Sequence, residues 1–159
     1  YIYMKNNKEN FADHILGHVG YNLSFGGKWF GGWRSDTTHK DYVKAGYEHA
    51  LRQAEKISDV TFINVSYDGL KNIPVGSVVY CDIPYKNTKS YSFSKDFNYE
   101  EFYDWVRNMN NKGHNIFISE YSMPNDFKII WEQEVKSSLS ANNISGGNKT
   151  SIERLFVLK

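Results

Sequence analysis

Apolar residues fall along this chain in two rhythms. Val43, Tyr47, Ala50, Leu51, Ala54 and Ile57 recur every three or four positions, as do Phe102, Trp105, Val106 and Met109, and each set draws one face of a helix. The first helix opens at Thr38, which stands three residues before Asp41 in the spacing of a capping box, and it carries Lys40, Lys44 and Arg52 on its polar side. The second is capped by Asn98, has Glu100 and Glu101 in its first turn and ends at Gly113. A weaker helical stretch covers 9–16. The other rhythm is the short apolar run, at 60–65, 77–81, 115–119, 127–131 and 154–158, and each run predicts a strand.

Strand, helix and strand over 77–119 make a right-handed crossover, which joins two parallel strands. The last two runs then form an antiparallel pair closing one side of the sheet, with the Ser/Asn/Gly-rich segment 137–151 as a long flexible loop between them. The pattern is that of an α/β protein.

Chemistry concentrates where the 77–81 strand passes into Asp82-Ile83-Pro84-Tyr85. Pro84 fixes its own φ and holds Ile83 extended, so the carbonyls after Asp82 are positioned before any ligand arrives. Strand ends of this kind are where open α/β sheets bind ligands. Taken alone, the four residues read equally well as an ordinary strand exit with a turn-forming Asp. Beyond them, 86–93 is polar and rich in Ser, Lys and Tyr, as an active-site loop is.

A second unusual stretch interleaves Gly26, Gly27, Gly31 and Gly32 with Phe25, Trp29, Phe30 and Trp33. It is not a phosphate-binding P-loop, because Asn22 and Trp29 stand where that motif needs Gly and Ser or Thr. It reads as an irregular loop whose aromatics either pack on the domain or stack on bases. Lys28 and Arg34 in it, with Lys40, Lys44 and Arg52 of the following helix, make the local basic patch of the chain.

Composition changes this picture little. The 159 residues suit one domain, and a net charge of +1 removes any bulk electrostatic argument for nucleic acid. A lone Cys81 rules out an intrachain disulfide framework, and no apolar run reaches the length of a membrane span or a secretory signal. The chain is therefore expected to be intracellular, and its Asn-x-Ser/Thr matches at Asn22, Asn64, Asn143 and Asn148 to be chance. The histidines have no metal-binding spacing; His14 and His18 are expected at the surface or in an N-terminal arm.

Four strings occur together and in order: Ser24-Phe25-Gly26-Gly27-Lys28-Trp29-Phe30-Gly31-Gly32; Asp82-Ile83-Pro84-Tyr85 followed by Lys86 and Thr88; Ile118-Ser119-Glu120-Tyr121; and Glu153-Arg154-Leu155-Phe156. In this combination the chain resembles the Dam-like adenine-specific DNA methyltransferases, phage members in particular, over nearly all of its length. The resemblance implies a partial Rossmann-like methyltransferase sheet, namely the C-terminal parallel strands plus a terminal antiparallel pair, with a helical and loop target-recognition insertion. It divides the chain into an N-terminal arm (1–20), a target-recognition-like region (21–58) and the C-terminal half of a catalytic domain (59–159).

The resemblance also assigns roles. Asp82 and the Ile83 carbonyl would accept hydrogen bonds from the exocyclic amine of a flipped adenine, Pro84 would stiffen the loop, and Tyr85 would stack on the base. Ser66, Tyr67 and Asp82 would face the methyl donor S-adenosylmethionine. Lys28, Trp29, Arg34, Lys40, Lys44, Lys86 and Lys89 would contact double-stranded DNA. Two departures stand out: Ile83 replaces the first Pro of the family motif, and residues 1–20 hold no Phe-x-Gly-x-Gly turn for the donor. The strand ending in Asp82 is then expected to have one unpaired side, covered by self-association, by a second chain carrying the missing half, by a rearranged local strand or by the N-terminal arm. Two functions remain open: an adenine methyltransferase or a piece of one in the cytoplasm of a bacterial host, and a non-catalytic descendant that blocks a host defence protein in the manner of an anti-CRISPR inhibitor.

Overall fold

A computed structural model describes residues 1–34, 40–70, 72–86, 96–137 and 149–159. The chain divides into two compact units, Tyr1–Ile63 and Asn64–Lys159.

The first unit opens with α1 (Ile2–Asn6), a 3-10 turn (Lys8–Asn10) and α2 (Asp13–Gly17), which continues into a π-type turn, His18–Asn22. The helix expected over 9–16 is interrupted, because Phe11 and Ala12 take extended backbone (φ −129°, ψ 146° and φ −67°, ψ 142°) and separate the two turns. The glycine and aromatic stretch folds back on this segment. Ser24 and Trp33 form an isolated antiparallel bridge, Phe25 N–H donates to the Gly32 carbonyl at 2.9 Å, and Phe30 N–H donates to the Gly20 carbonyl at 2.8 Å. Phe30 is buried at φ +43°, a left-handed conformation that a bulky residue adopts only when its surroundings fix it. Those surroundings are Tyr1, Trp29 and the Lys8 ammonium, 5.3, 4.8 and 5.3 Å from its ring centre.

Helix α3 (Tyr42–Lys56) follows. Its cap is Asp41, whose carboxylate accepts from the Lys44 N–H at 3.0 Å, so the helix begins later than the Thr38 box predicts; Thr38 itself lies outside the described residues. The apolar stripe also behaves differently from expectation. Val43, Tyr47 and Leu51 are exposed, and the helix instead turns Gly46 inward, where a Cβ would lie 3.6 Å from both His18 and Leu23. A Cβ there would make ordinary van der Waals contact, so a small position beside His18 and Leu23, rather than the large apolar residues of the stripe, lies on the inward face.

The strand expected at 60–65 does not form. Residues 60–66 have no regular structure and leave Val60, Phe62, Ile63 and Val65 exposed, Phe62 to 74%. A strand exists only as a ladder, and among the described residues no neighbour supplies one.

The second unit is a mixed α/β structure. It contains β1 (Val78–Asp82), α4 (Tyr99–Asn111), β2 (Asn115–Glu120), β3 (Phe127–Ser137) and β4 (Lys149–Leu158) in a four-stranded sheet of order β1-β2-β4-β3. β1 and β2 are parallel with Asp82 opposite Ser119, as the crossover requires. β4 runs antiparallel to both neighbours, placing Arg154 opposite Glu120 on one side and opposite Glu132 on the other. The terminal pair is longer than its apolar runs indicated: Ser137 and 149–151, assigned to a loop from sequence, are strand, and 138–148 lie outside the described residues.

Helix α4 starts at Asn98, whose side chain accepts from the Glu101 N–H at 3.3 Å, and is followed by Gly113 at φ +87°, where a side chain is strained. Its buried Phe102, Tyr103, Val106 and Met109 meet Ile83, Ile116, Ile118, Phe127 and Phe156, the core of the unit. Among the described residues β1 is an edge strand, and its alternation turns Val79 and Cys81 toward that core while Val78 and Tyr80 stay 70% and 62% exposed. Among the described residues no helix is long and apolar enough to cross a membrane.

Candidate functional site

The parallel pair ends with Asp82 beside Ser119, and the hydrogen bonds there run in one direction. Tyr80 donates to Ser119 Oγ at 3.0 Å, and Ser119 donates to Asp82 Oδ1 at 3.2 Å. The alternation of the strand explains why: Tyr80 and Asp82 share the outward face of β1, and Ser119, the register partner of Asp82 on β2, lies diagonally across from Tyr80. The Asp82 carboxylate is thus held at one oxygen by a neutral donor while the residue itself stays exposed.

The loop after Asp82 is pinned at successive residues. Ile83 is buried in the core, the Pro84 carbonyl accepts from Tyr99 O–H at 2.9 Å, and Lys86 N–H donates to the Glu120 carboxylate. Glu120 has no exposed surface and also accepts from the backbone N–H groups of Tyr121 and Ser122, the latter at 3.2 Å. A buried carboxylate survives only with such partners, and here they join the end of β2 to the end of the Asp82 loop. Tyr85 is held as well: its hydroxyl donates to Glu153 Oε2 at 2.9 Å and its ring meets Tyr121 edge-on at 4.7 Å. Burial pushes its phenol up to about 12; a hydrogen bond with Ser119 works the other way, and the Glu153 and Asp82 carboxylates reinforce the rise. Lys86 reaches over the Tyr99 ring at 5.5 Å.

Sequence reasoning placed Asp82, Ile83, Pro84 and Tyr85 in the site and gave no role to Tyr80, Ser119, Glu120 or Glu153. The signal for Glu120 was available, since it stands two residues beyond Ile118, in phase with the buried Ile116 and Ile118 of that strand.

No family model, curated protein or solved structure matches the chain. Its chemistry therefore rests on the geometry alone.

Of the residues assigned to the methyl donor, Tyr67 packs its ring on Phe97, Phe102 and Trp105 at 6.0, 5.2 and 5.3 Å, and Ser66 begins the turn Tyr67–Gly69. That leaves Ser66 and Asp82 as polar contacts, too few by themselves to hold a nucleoside and an amino acid. A hollow of about 660 Å³ in this unit is lined by Asp68, Val75, Trp105 and His114 among others; Val75 and His114 precede β1 and β2, so it opens at the opposite strand ends from Asp82.

The basic residues divide. Arg34 and Lys40 both approach the Tyr42 ring, at 4.7 and 5.8 Å. Lys28 and Trp29 belong to the glycine-rich turn, where Trp29 leans on Gly20, and Lys44 contributes its backbone N–H to the α3 cap. Lys86 belongs to the second unit, and Lys89 lies outside the described residues. Among the described residues no cluster of His, Cys, Asp and Glu is suited to a metal.

Proposed function

We propose that Asp82-Ile83-Pro84-Tyr85 is the acceptor-base half of a site of the adenine methyltransferase type, which would hold a flipped adenine by its exocyclic amine. The observation that carries the reading is the braced Asp82 carboxylate at the C-terminal end of a parallel strand, followed by a loop fixed at Ile83, Pro84 and Lys86. An amine has two N–H groups to place, and one carboxylate oxygen together with the Ile83 carbonyl supplies two acceptors in fixed positions. Accepting both aims the nitrogen lone pair away from the loop, which is positioning plus electrostatic stabilisation rather than covalent chemistry. Tyr85, its hydroxyl already engaged by Glu153, supplies a preset wall for the base. The finer fold assignment, the C-terminal half of a Rossmann-like methyltransferase sheet, is supported by the parallel β1–β2 pair and the terminal antiparallel pair beside it.

The donor would need residues beyond Ser66, Tyr67 and Asp82, so this chain's own part is to bind and orient the base. The test is a duplex carrying 2-aminopurine next to adenine, so that the adenine keeps its exocyclic amine and the probe's fluorescence rises when its neighbour leaves the stack. The purified chain should raise it and Asp82→Ala should abolish the rise while DNA binding persists; an unchanged signal with the parent chain overturns the reading. Transfer of labelled methyl groups from S-adenosylmethionine, measured alongside, separates an autonomous enzyme from an acceptor half.

A second reading, a methyltransferase-derived binding protein that acts on another protein, is favoured by the open edge of β1 and by the exposed Val78 and Tyr80. A native mass spectrum of the protein from its own host distinguishes the two by showing whether a second chain is bound and which.

A further inference from the structure

In the first unit, Arg34, Lys40 and Arg52 line one open cleft of about 460 Å³. Arg34 and Lys40 come from either side of the segment 35–39, and Arg52 comes from the third turn of α3. The helix makes the hollow possible: the residues facing it between Tyr42 and His49 are Ala45 and Gly46, which leave room where a larger side chain would fill the space. Among the described residues no carboxylate lines the cleft, and none of the three cations has an ion-pair partner; Arg107 and Arg154, by contrast, are paired with Asp104, Asp126 and Glu132. All three cations are exposed at its rim, and Arg34 and Lys40 converge on the same Tyr42 ring. Asn22 and Gln53 add amide groups able to donate and accept at its walls.

Three like charges held around one concavity repel one another unless an anion sits among them, and the volume falls within the range that encloses a small molecule. Arginine adds planar, bidentate geometry suited to phosphate oxygens. We infer that this cleft binds a compact anion bearing two adjacent phosphate groups, in the form of a free nucleoside diphosphate. A duplex backbone carries the same phosphate chemistry, but it is read by cations laid along a surface rather than by cations gathered around one hollow. The cleft belongs to the first unit and the Asp82 loop to the second, and the inference does not depend on the function of that loop.

The experiment is isothermal titration of the full chain at low salt with pyrophosphate, ADP, adenosine and a short DNA duplex. Pyrophosphate and ADP should bind saturably at one site and weaken with added salt, and adenosine should not bind. Arg34→Ala and Arg52→Ala should each reduce ADP affinity about tenfold, the effect of losing one charge-assisted hydrogen bond. Arg52→Lys, which keeps the charge, should recover part of the loss, and circular dichroism of each variant reports retained folding. Lys5→Ala on α1 and Asp82→Ala should leave ADP binding unchanged, the latter separating this site from the strand-end reading. Absence of saturable binding by pyrophosphate and ADP overturns the inference. So does equal weakening by Lys5→Ala, which would mean diffuse charge, or binding of duplex through the two arginines without binding of ADP.

Discussion

Glu120 is the most consequential single side chain for the strand-end loop, and removing it has a calculable cost. Its carboxylate is fully buried and accepts three backbone N–H groups, from Lys86, Tyr121 and Ser122. Hydrogen bonds to a charged acceptor contribute about 1.5–3 kcal/mol each. Three of them would exceed 4 kcal/mol if every donor remained dry, but Lys86 and Ser122 are exposed residues whose N–H groups regain water once the carboxylate is gone. Glu120→Ala should therefore destabilise the second unit by about 2–4 kcal/mol, part of it the cavity left behind. Arg154 stays paired with Glu132 at 3.2 Å, so no buried cation is orphaned and the loss is confined to the loop. Glu120→Gln keeps the shape but turns an NH₂ toward N–H donors, and should cost about 1–2 kcal/mol.

Urea unfolding, followed by the fluorescence of Trp105, is the direct assay, and the slope with denaturant must stay constant for the difference to be a stability. In a thermal scan the alanine variant should melt about 4–16 °C lower, at about 2–4 °C per kcal/mol for a chain of this size. If Glu120→Ala unfolds within about 0.5 kcal/mol of the parent, the carboxylate does not hold the loop and the account of a pre-positioned Asp82 fails with it.

Three further outcomes follow from the same geometry. Gly20→Ala would bring a Cβ to 2.4 Å from the Trp29 ring and 2.9 Å from Phe30, so it should destabilise the first unit by about 1–3 kcal/mol, seen as a lower urea midpoint in Trp29 emission. Tyr85 has a folded pKa near 12 against an ordinary value of 10, so its contribution to stability is complete below pH 10 and is lost as pH rises from there through 12. Burial also raises Tyr67, Tyr99 and Tyr103, so tyrosinate absorbance should show a late-titrating component that Tyr85→Phe reduces by one group; an unchanged amplitude would show that Tyr85 is not part of it. Burial pushes the Cys81 thiol up to about 11, so iodoacetamide at mildly alkaline pH should label it far more slowly in the folded protein than in urea. Equal rates in the two states would contradict the burial.

How much of this was legible in the sequence differs from element to element. Helix α4 and the parallel pair were, because their signals are local: Asn98 begins the helix, Gly113 follows its end, and the apolar face between them is the face that packs. The start of α3 was misplaced because Asp41 is equally acceptable as a cap and as the third residue after one, and only the hydrogen bond to Lys44 decides. Its apolar stripe misled for a different reason. Periodicity reports which residues share a face but not whether a neighbour will cover it, and in α3 it is Gly46, not Val43, Tyr47 or Leu51, that faces His18 and Leu23. At the candidate site, Pro84 announced a fixed loop. The carboxylate that anchors that loop is 34 residues away in sequence from Lys86, and no spacing rule joins a strand end to a loop across a sheet.

The same limitation explains the two runs that behaved differently. Segments 60–65 and 77–81 have the same β-forming composition and no charge, yet only the second is a strand, because only it has a parallel neighbour. Even there the cover is incomplete. Successive Val78, Val79 and Tyr80 spell a strand apolar on both faces, the pattern of an interior parallel strand, whereas β1 is an edge with one face toward α4 and the other uncovered. Edges exposed in water are normally blunted by charge, by proline or by a bulge, and β1 has none of these before Asp82. Phe62 and Ile63 repeat the discrepancy in a segment with no ladder at all. Apolar residues at such positions are the pattern of strands with a neighbour on each side, and among the described residues neither run has that cover. What covers the β1 edge is therefore the observation that bears most directly on both functional readings.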